Sequence, residues 1–487
     1  MTRKKNQKTR IRALKGRLHL NKRDYQTLLH LTTLSRRLHD KTVQVIQQTG
    51  TKNYYKLYHI LKTTPEYQLL PSQPAQQTIK LALQSYKQHR KYNPGRRATQ
   101  VLIFPTQQFR VKGRYILLNL GKNYQKTFGR RYIRIKNPKI LQNRKTRLKQ
   151  VIIVPRHDGV WFNVVYIYEE LAGKTPSPGL SRNDQFVEAV SRFSPDPARV
   201  MAIDLGVNNF ATVVSTVGPA FIIEGRGLKS LKIYCTRKIA ELQSIYDRAG
   251  QQPGRKFYQL LRRCEAWTED FVNKTVHAIL EYVVHYDIGV VVIGWNRGFK
   301  NGTRKKKQLN GSNRRNLWFM PFGAFRRKLR DRLEELGVRY IEVSEAYTSV
   351  TDALALEPIG PGKHSGKQVH RGLFQSKTGR LVNADVNAAI NILRRVAGDY
   401  PVSEAFGLGV TGKPRGIPGN GRVDRPKTAK RFENPKGFPV RVRIPWGPFS
   451  NRLEEFQTLW DSVIKTASRF QPAGRVGLHE APSDREG

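Results

Sequence analysis

Acidic residues are scarce in this chain of 487 residues: 36 Asp and Glu stand against 88 Lys and Arg, which leaves a formal net charge of +52. A chain so unbalanced repels itself unless it binds a polyanion, and nucleic acid is the polyanion that such a charge predicts. The shortage of acids is greatest in residues 1–150, which hold 36 Lys or Arg and three acids. Tyr, Phe, Leu and Ile recur among those basic residues, which favours folded nucleic-acid-binding surfaces over a disordered basic tail.

Cysteines and long apolar runs are also rare. The two cysteines, Cys235 and Cys264, are too few for a disulfide framework and lack CxxC spacing, so we expect reduced thiols in a reducing compartment. No apolar run reaches the length of a membrane-spanning helix. The N-terminal sequence MTRKKNQKTRIRALKG is basic but has no apolar core, so it is not typical of a secretory signal. We therefore expect a cytoplasmic protein with no membrane partner.

The N-terminal part of the sequence alternates between two kinds of pattern. Residues 1–23 and 96–172 contain short runs typical of strands, such as RIRALKGRLHL and WFNVVYIYEE, with Gly or Asn turns between them. Residues 24–95 instead carry apolar residues at helical spacing. These patterns predict a small β-barrel that is interrupted by a helical insert.

A second domain is predicted over residues 199–400, after a Pro-, Ser- and Gly-rich linker at 173–198. It begins with the apolar strand RVMAIDLGV, and long helical patterns follow at 227–285. The run DIGVVVIGWN is typical of a strand buried on both faces. Residues 401–487 are basic, rich in Pro and Gly and without periodicity, which favours a flexible tail. The fold class that we expect is a multi-domain α/β protein.

Two aspartates stand out because each lies at the end or start of an apolar element. Asp204 ends the first strand of the second domain, and Asp385 lies at the start of the helical pattern ADVNAAINILRRV. Either residue alone has an ordinary explanation: Asp204 as a turn-forming residue and Asp385 as a helix cap or first-turn charge. Together, two such carboxylates could hold Mg²⁺, a cation that takes oxygen ligands.

Several segments of this domain resemble the RuvC-like nuclease core of the TnpB family, transposon-encoded RNA-guided endonucleases related to type V CRISPR effectors. The resemblance covers about residues 199–397, and it is carried by DLGVNNFATVVS, VVVIGWNRGFK, YTS at 347–349 and RGLFQSKTGRLVNADVNAAINILRRV. It implies an RNase H-like (RuvC) nuclease core, with the N-terminal barrel as a wedge-like domain and its insert as a recognition region. Asp204 then matches the first catalytic Asp of the family, and Asp385 the last.

The sequence departs from the family at the middle catalytic acid. Many members carry a Glu at the end of the middle strand, where this chain has Gly294. Either the enzyme is inactive, or a relocated carboxylate supplies the third ligand. Glu342 and Glu345 at the end of the next strand are the candidates, and their spacing of three places them on opposite faces of a regular strand. We favour Glu345 because it is nearer the end of the strand, where a metal site would lie.

A second departure concerns zinc. Many members carry paired CxxC motifs between YTS and the last Asp, whereas residues 352–384 contain His364 and His370 but no Cys. We therefore expect no zinc, and a target-nucleic-acid segment that folds without one. The two histidines are more typical of surface or phosphate-facing positions.

The resemblance implies a reaction and its partners. Asp204, Glu345 and Asp385 would hold two Mg²⁺ ions, or Mn²⁺ in their place, for cleavage of target double-stranded DNA beside a short flanking motif. A guide RNA would select the target, and the protein would act as a monomeric ribonucleoprotein in a prokaryotic cytoplasm. Three alternatives remain: an inactive RNA-guided DNA-binding protein, a small type V CRISPR effector, and, more weakly, a transposase that cuts and joins DNA.

The residues expected to contact nucleic acid fall into three groups. On the helical pattern at 76–91, one face carries a Lys and a Gln that could read base edges, although a merely polar face is as good an explanation. The other two groups are an N-terminal cluster and the loop NGTRKKKQLNGSNRRN, for which a solvated loop is the alternative. The candidates are Arg3, Lys4, Lys5, Lys8, Arg10, Lys80, Gln84, Arg304, Lys305, Lys306, Lys307, Arg314 and Arg315.

Overall fold

Two structural units, Met1–Pro178 and Gly179–Gly487, make up the chain. The structure is a computed structural model, and it describes residues 9–88, 98–142, 146–171, 184–296, 317–370, 372–399 and 440–442. Each unit has its own apolar core and is described by itself.

The first unit contains two antiparallel sheets. Four strands form one sheet in the order β1-β7-β6-β2, and β3-β4-β5 form the other. The strands are β1 (Thr9–Arg17), β2 (Leu102–Pro105), β3 (Phe109–Lys112), β4 (Tyr115–Asn119), β5 (Tyr132–Lys136), β6 (Thr146–Arg156) and β7 (Trp161–Leu171). Strands therefore lie where the barrel was expected, but in two sheets, and closure into a barrel stays a prediction.

Helices of the first unit lie between β1 and β2, with one more between β4 and β5. They are α1 (Lys22–Thr49), α2 (Tyr54–Leu61), α3 (Pro65–Leu69), α4 (Ser72–Gln88) and α5 (Lys122–Phe128). Asn21 caps α1 by accepting a hydrogen bond of 2.7 Å from the backbone of Asp24, and Gly50 ends the helix at a φ of 66°. Apolar residues of α1, α2 and α4 share one core with the strands.

One six-stranded sheet organises the second unit, in the order β12-β11-β8-β9-β10-β16. Its strands are β8 (Asp196–Leu205), β9 (Asn209–Ser215), β10 (Phe221–Glu224), β11 (Ile288–Gly294), β12 (Arg339–Val343) and β16 (Val440–Val442). β8, β9 and β10 form an antiparallel meander, whereas β11 and β12 run parallel to β8. Every residue of β11 is buried, which explains its uninterrupted apolar sequence.

Helices cover both faces of this sheet. The helices are α6 (Asp184–Arg192), α7 (Arg226–Arg248), α8 (Arg255–His285), α9 (Phe322–Glu335) and α10 (Ala384–Ala397). Side chains of α6, α8 and α9 pack on one face of the sheet, and α10 packs on the other. A small sheet of β13 (Lys367–His370), β14 (Leu373–Gln375) and β15 (Leu381–Asn383) precedes α10 and adds Phe374 to its core.

Three expectations from the sequence need correction. The predicted linker at 173–198 contains α6 and the start of β8, because Phe186 and Val190, one helical turn apart, pack against the core of the second unit. The predicted tail includes β16, which pairs with the edge strand β10 through Val440–Val442. The remainder of 401–487 lies outside the described residues.

The cysteine prediction was also wrong. A disulfide joins Cys235 of α7 to Cys264 of α8, where both residues are buried between the two helices. The count of two cysteines argues against a framework of several bridges, but it does not argue against a single bridge between neighbouring helices. Among the helices of the described ranges, none is long and apolar enough to cross a membrane.

Candidate active site

Asp204 lies near the end of β8, on the sheet face that α10 covers. Side chains alternate along a strand, so Asp204 points to the same face as Ala202, which packs in the core beneath α10. Gly294 ends the neighbouring parallel strand β11, two residues after Val292 of that core. The edge of the sheet where β8 and β11 end therefore brings these two positions side by side.

Asp385 lies in the first turn of α10, but it does not cap the helix. The cap is Asn383, whose side chain accepts hydrogen bonds from the backbone of Asp385 (3.0 Å) and Val386 (3.3 Å). Because Asn383 fills the capping role, the carboxylate of Asp385 is free of it. The side-chain amide of Asn209, the first residue of β9, instead donates to Oδ2 of Asp385.

The charges of Asp385 and Glu345 both act on Asp204. Burial, and then repulsion from Asp385 and Glu345, raises the pKa of Asp204 well above its ordinary range. Burial also raises the pKa of Glu345 to about 7, against the opposing effect of the Arg326 guanidinium. The structure thus brings Asp204, Glu345 and Asp385 into one electrostatically coupled group, contributed by β8, the segment after β12 and α10.

Glu345 fills the space that a side chain at position 294 would need. A Cβ atom built on Gly294 would lie 2.8 Å from Cγ and 3.2 Å from Oε1 of Glu345, and 2.5 Å from Cδ1 of Ile392. Val343, two residues before Glu345, packs against the core beneath α10 and sets the direction of this segment. The absent side chain of Gly294 therefore makes room for the carboxylate of Glu345.

Glu342 belongs to the opposite face of the sheet. It forms an ion pair with Arg326 of α9 and accepts a hydrogen bond of 2.8 Å from the hydroxyl of Tyr340. Hydrogen bonds from Arg326 and Tyr340 lower the pKa of Glu342, against the effect of burial. The two candidate glutamates thus face opposite sides, and Glu345 is the one beside Asp204.

The donor set suits a hydrated cation. Among the described residues, no group of three or more His, Cys, Asp or Glu side chains is arranged to hold a metal ion directly. Mg²⁺ does not require such a cage, because it commonly keeps several waters and takes one or two carboxylates with substrate phosphates. The hydroxyl of Thr212, across the β8–β9 pair from Asp204, is buried without a hydrogen-bond partner, so a polar atom is left over beside the acids.

Asparagines organise this site, and the sequence analysis missed them. Asn296 accepts hydrogen bonds of 3.1 Å from the backbone N–H of Glu345 and from the hydroxyl of Ser344. From α10, Asn391 donates to the carbonyls of Thr348 (2.9 Å) and Thr351 (2.8 Å), and Asn387 donates to that of Thr351 (2.8 Å). Asn387 and Asn391 are fully buried. The available signal was a polar residue on the apolar face of a helix, at positions 387 and 391.

A buried carboxylate organises the segment for which no zinc was expected. Asp352 is fully buried and accepts hydrogen bonds from the Ser376 hydroxyl (2.8 Å) and from the backbones of Lys377 (2.7 Å), Leu354 (3.1 Å) and Ala355 (3.2 Å). These bonds tie the 352–355 turn to the 376–377 turn.

The two histidines of this segment lie at its edge. Nδ1 of His364 lies 3.2 Å from Oε2 of Glu357, so His364 contacts an acid of its own segment. His370 is an exposed residue of β13.

Few of the expected nucleic-acid contacts can be placed. Lys80 and Gln84 are exposed residues of α4, one turn apart, and the Lys80 ammonium lies 4.9 Å from the centre of the Tyr54 ring. Arg10 is in β1, opposite Glu170 in the backbone register. The other candidates lie outside the described residues: Arg3, Lys4, Lys5, Lys8, Arg304, Lys305, Lys306, Lys307, Arg314 and Arg315.

Two family models match segments of the second unit. Residues 186–298 match the family OrfB_IS605, described as a probable transposase, and residues 322–392 match the Cas12f1-like TNB domain. A TnpB-like protein, ORF457 of Acidianus two-tailed virus, is 26% identical over 210 residues, which are 42% of this chain and 43% of that protein. The chain thus matches less than half the length of this curated relative.

Solved structures give a fold-level likeness. The protein of a Cas12f1–sgRNA–target DNA complex, solved by cryo-EM, superposes with a TM-score of 0.51 at 12% identity, covering 76% of this chain and 83% of that one. At that identity the likeness shows the fold alone, a multi-domain α/β fold of the kind found in Cas12 effectors.

Proposed function

We propose that this chain, a relative of the TnpB family and of type V effectors, is an RNA-guided endonuclease that cuts target double-stranded DNA beside a short flanking motif. The observation that carries the proposal is the coupled group of Asp204, Glu345 and Asp385 at the edge of the sheet. A buried acid whose pKa is raised by burial and by two neighbouring acids, as that of Asp204 is, is costly to a fold and typical of a functional site.

The topology of the second unit supports an RNase H-like (RuvC) core. The meander β8–β9–β10, followed by β11 and β12 parallel to β8, gives the sheet order of that fold if β16 is set aside. The acids lie where β8 and β11 end and where α10 begins, the region in which open α/β sheets commonly place their sites.

Each acid has a role in this proposal. Asp204, Glu345 and Asp385 would hold Mg²⁺, with two ions expected and Mn²⁺ as a substitute. When bound, the ions would activate water and stabilise the departing oxygen of the phosphodiester. Asn209 orients the carboxylate of Asp385 by donating to one of its oxygens, and Asn296 orients the segment that carries Glu345. Arg326 counters the effect of burial on the pKa of Glu345 and so favours its ionised form.

The partners follow from charge and family. A net charge of +52 is enough to neutralise many phosphates, and a guide RNA with its DNA target supplies them. Base pairing would then choose the sequence, while the protein reads the flanking motif and holds the duplex in a basic channel. Lys80 and Gln84 remain our candidates for contact with that motif.

A cleavage assay on the purified ribonucleoprotein tests the proposal. The co-purified RNA is sequenced, and duplex DNA that matches it is offered beside a randomised flank with Mg²⁺. We expect wild-type protein to cut matched DNA next to one enriched flank, and the Asp385→Ala variant to bind the same DNA without cutting it. Cutting that does not depend on the RNA match would contradict the proposal.

A second candidate function has its own support. Gly294 in place of the family's Glu favours an RNA-guided DNA-binding protein that does not cut. Guide-dependent binding without cleavage by the wild type would establish this alternative.

The DNA around the gene separates a transposon-associated protein from a small type V CRISPR effector, since transposon ends indicate the first and a repeat array the second.

A further inference from the structure

Glu345 depends on a segment that has no regular secondary structure. β12 ends at Val343, and the turn that follows contains Tyr347 at a φ of 67°, a conformation that residues other than Gly rarely adopt. A carboxylate on such a segment keeps its place only if the backbone around it is held by other groups.

The backbone of Glu345 is held from both sides. Its N–H donates to the side-chain oxygen of Asn296 at 3.1 Å, and its carbonyl accepts a hydrogen bond of 2.9 Å from the hydroxyl of Thr348. The carbonyl of Thr348 in turn accepts a hydrogen bond of 2.9 Å from Asn391 of α10, the helix that carries Asp385.

Asn296 also connects Glu345 to the strand that leaves room for it. It follows Gly294 by two residues, and between them the backbone N–H of Trp295 donates to the carbonyl of Val343 at 2.8 Å. Three consecutive residues thus act on one glutamate: Gly294 leaves the space, Trp295 extends the pairing of β11 with β12, and Asn296 fixes the backbone N–H of Glu345.

We propose that Asn296 is a positioning residue that holds Glu345 in the space left by Gly294, so that its carboxylate faces Asp204 and Asp385. This inference rests on the proposed function, because it concerns the acid that replaces the family's middle glutamate. Its chemistry is that of an outer group that orients a metal ligand, whose loss typically costs about 10- to 100-fold in metal affinity or activity.

The test uses the full ribonucleoprotein and two substitutions of different chemistry. Asn296→Ala removes the accepting oxygen, whereas Asn296→Asp keeps an oxygen at the same place. The control is Asn273→Ala, which changes an exposed residue of α8. Two quantities are measured: the Mg²⁺ concentration that gives half-maximal cleavage, and the rise in Tm that Mg²⁺ or Mn²⁺ alone produces in the absence of target DNA.

We expect Asn296→Ala to raise the half-maximal Mg²⁺ concentration by about 10- to 100-fold and to reduce the metal-induced rise in Tm. Its affinity for matched DNA should remain that of the wild type. Asn296→Asp should restore both quantities to within about threefold of wild type. Because Asn296→Ala still binds matched DNA, a loss of folding would not explain its altered metal dependence.

Three outcomes would contradict the positioning role or the proposed endonuclease. Wild-type metal dependence in Asn296→Ala, with an active wild type, would overturn the positioning role alone. Equal loss of metal dependence in Asn296→Ala and Asn296→Asp would overturn it as well, because the accepting oxygen would then not matter. A wild type that binds its target but never cuts would instead overturn the proposed endonuclease, and the metal-induced change in Tm would still decide the role of Asn296.

Discussion

Gly294 and Glu345 share one space at the end of β11: a Cβ atom on Gly294 would lie 2.8 Å from Cγ of Glu345. Real Cβ atoms essentially never approach a heavy atom so closely, so either residue 294 has no side chain or Glu345 lies elsewhere. The absence of a side chain at position 294 and the position of the Glu345 carboxylate are therefore linked by packing. This link supports our proposal that Glu345 is a relocated acid.

Gly294→Ala should reduce cleavage while the protein still folds. The added Cβ meets Glu345 and Cδ1 of Ile392, and overpacking of this kind costs about 1–3 kcal/mol of unfolding free energy. Because Cγ of Glu345 must move as well as the end of the Ile392 side chain, we expect cleavage to fall by about 10- to 100-fold while the protein still folds. Single-turnover cleavage and thermal melts check this.

The matched control for Gly294→Ala is Gly360→Ala, since a Cβ at Gly360 meets no atom within 4 Å and its φ is not in the left-handed region. It should leave cleavage and Tm nearly unchanged. Cleavage by Gly294→Ala at the wild-type rate would show that Glu345 need not occupy that space.

Asp204→Asn should stabilise the metal-free protein while it reduces cleavage. The substitution keeps the shape of the side chain and removes a buried carboxyl group whose pKa is raised by burial and by two neighbouring acids. We expect the metal-free protein to melt at a higher temperature and cleavage to fall by about 10³-fold, since metal ligands are worth several kcal/mol to the transition state. A lower metal-free Tm with retained cleavage would contradict this account of Asp204.

The stability of the metal-free protein should depend on pH through Glu345. Its pKa rises from 4.5 to about 7 on folding, so between these values the folded state binds more protons than the unfolded state, and stability falls as pH rises. At about 1.4 kcal/mol for each pH unit, the loss of unfolding free energy between pH 4.5 and 7 is roughly 3 kcal/mol. Glu345→Gln removes this component, so the difference between the two unfolding curves isolates it.

Added Mg²⁺ should reduce the fall in the unfolding free energy of the wild type near pH 7, because protons and cations compete for the same carboxylate. The pH dependence of Glu345→Gln should change less. Urea unfolding at a series of pH values measures both effects. Parallel curves for the two proteins would show that the Glu345 carboxyl is not held at a raised pKa.

Asp352→Ala tests whether a carboxylate holds the segment for which no zinc was expected. It leaves the donors of Ser376, Lys377, Leu354 and Ala355 without their acceptor, at a cost of about 3 kcal/mol or more. A fall in Tm of the second unit is expected, whereas a chelator selective for zinc over Mg²⁺ should not change the Tm of the wild type. Melting induced by that chelator would point to a zinc ion in this segment.

The sequence could single out the two aspartates because each interrupts a clear apolar pattern, and it could favour Glu345 over Glu342 because Glu345 is nearer the end of the strand. The metal-binding roles of these three acids stay predictions. The asparagines at 209, 296 and 391 were missed, since their roles arise from contacts between residues far apart in the chain, as in the bond between Asn209 and Asp385.

Composition gave the wrong prediction for two segments of the second unit. The Pro, Ser and Gly residues near 173–198 predicted a linker, although the segment also contains the apolar pair Phe186 and Val190. The short helix that carries this pair is stabilised by packing against the core of the second unit. Likewise, β16 is only three residues long and is stabilised by an existing sheet edge, a property that no local pattern displays.

A comparison of two glutamates three residues apart tests most sharply whether Glu345 is a catalytic acid. Glu345→Gln and Glu342→Gln are assembled with the same guide, and cleavage of matched DNA is measured at fixed Mg²⁺ under single-turnover conditions. We predict that Glu345→Gln loses about 10³-fold in rate with target binding intact, whereas Glu342→Gln, which only weakens an ion pair with Arg326, cuts within about threefold of wild type. Full activity of Glu345→Gln, or loss of activity in Glu342→Gln alone, would contradict the relocated acid.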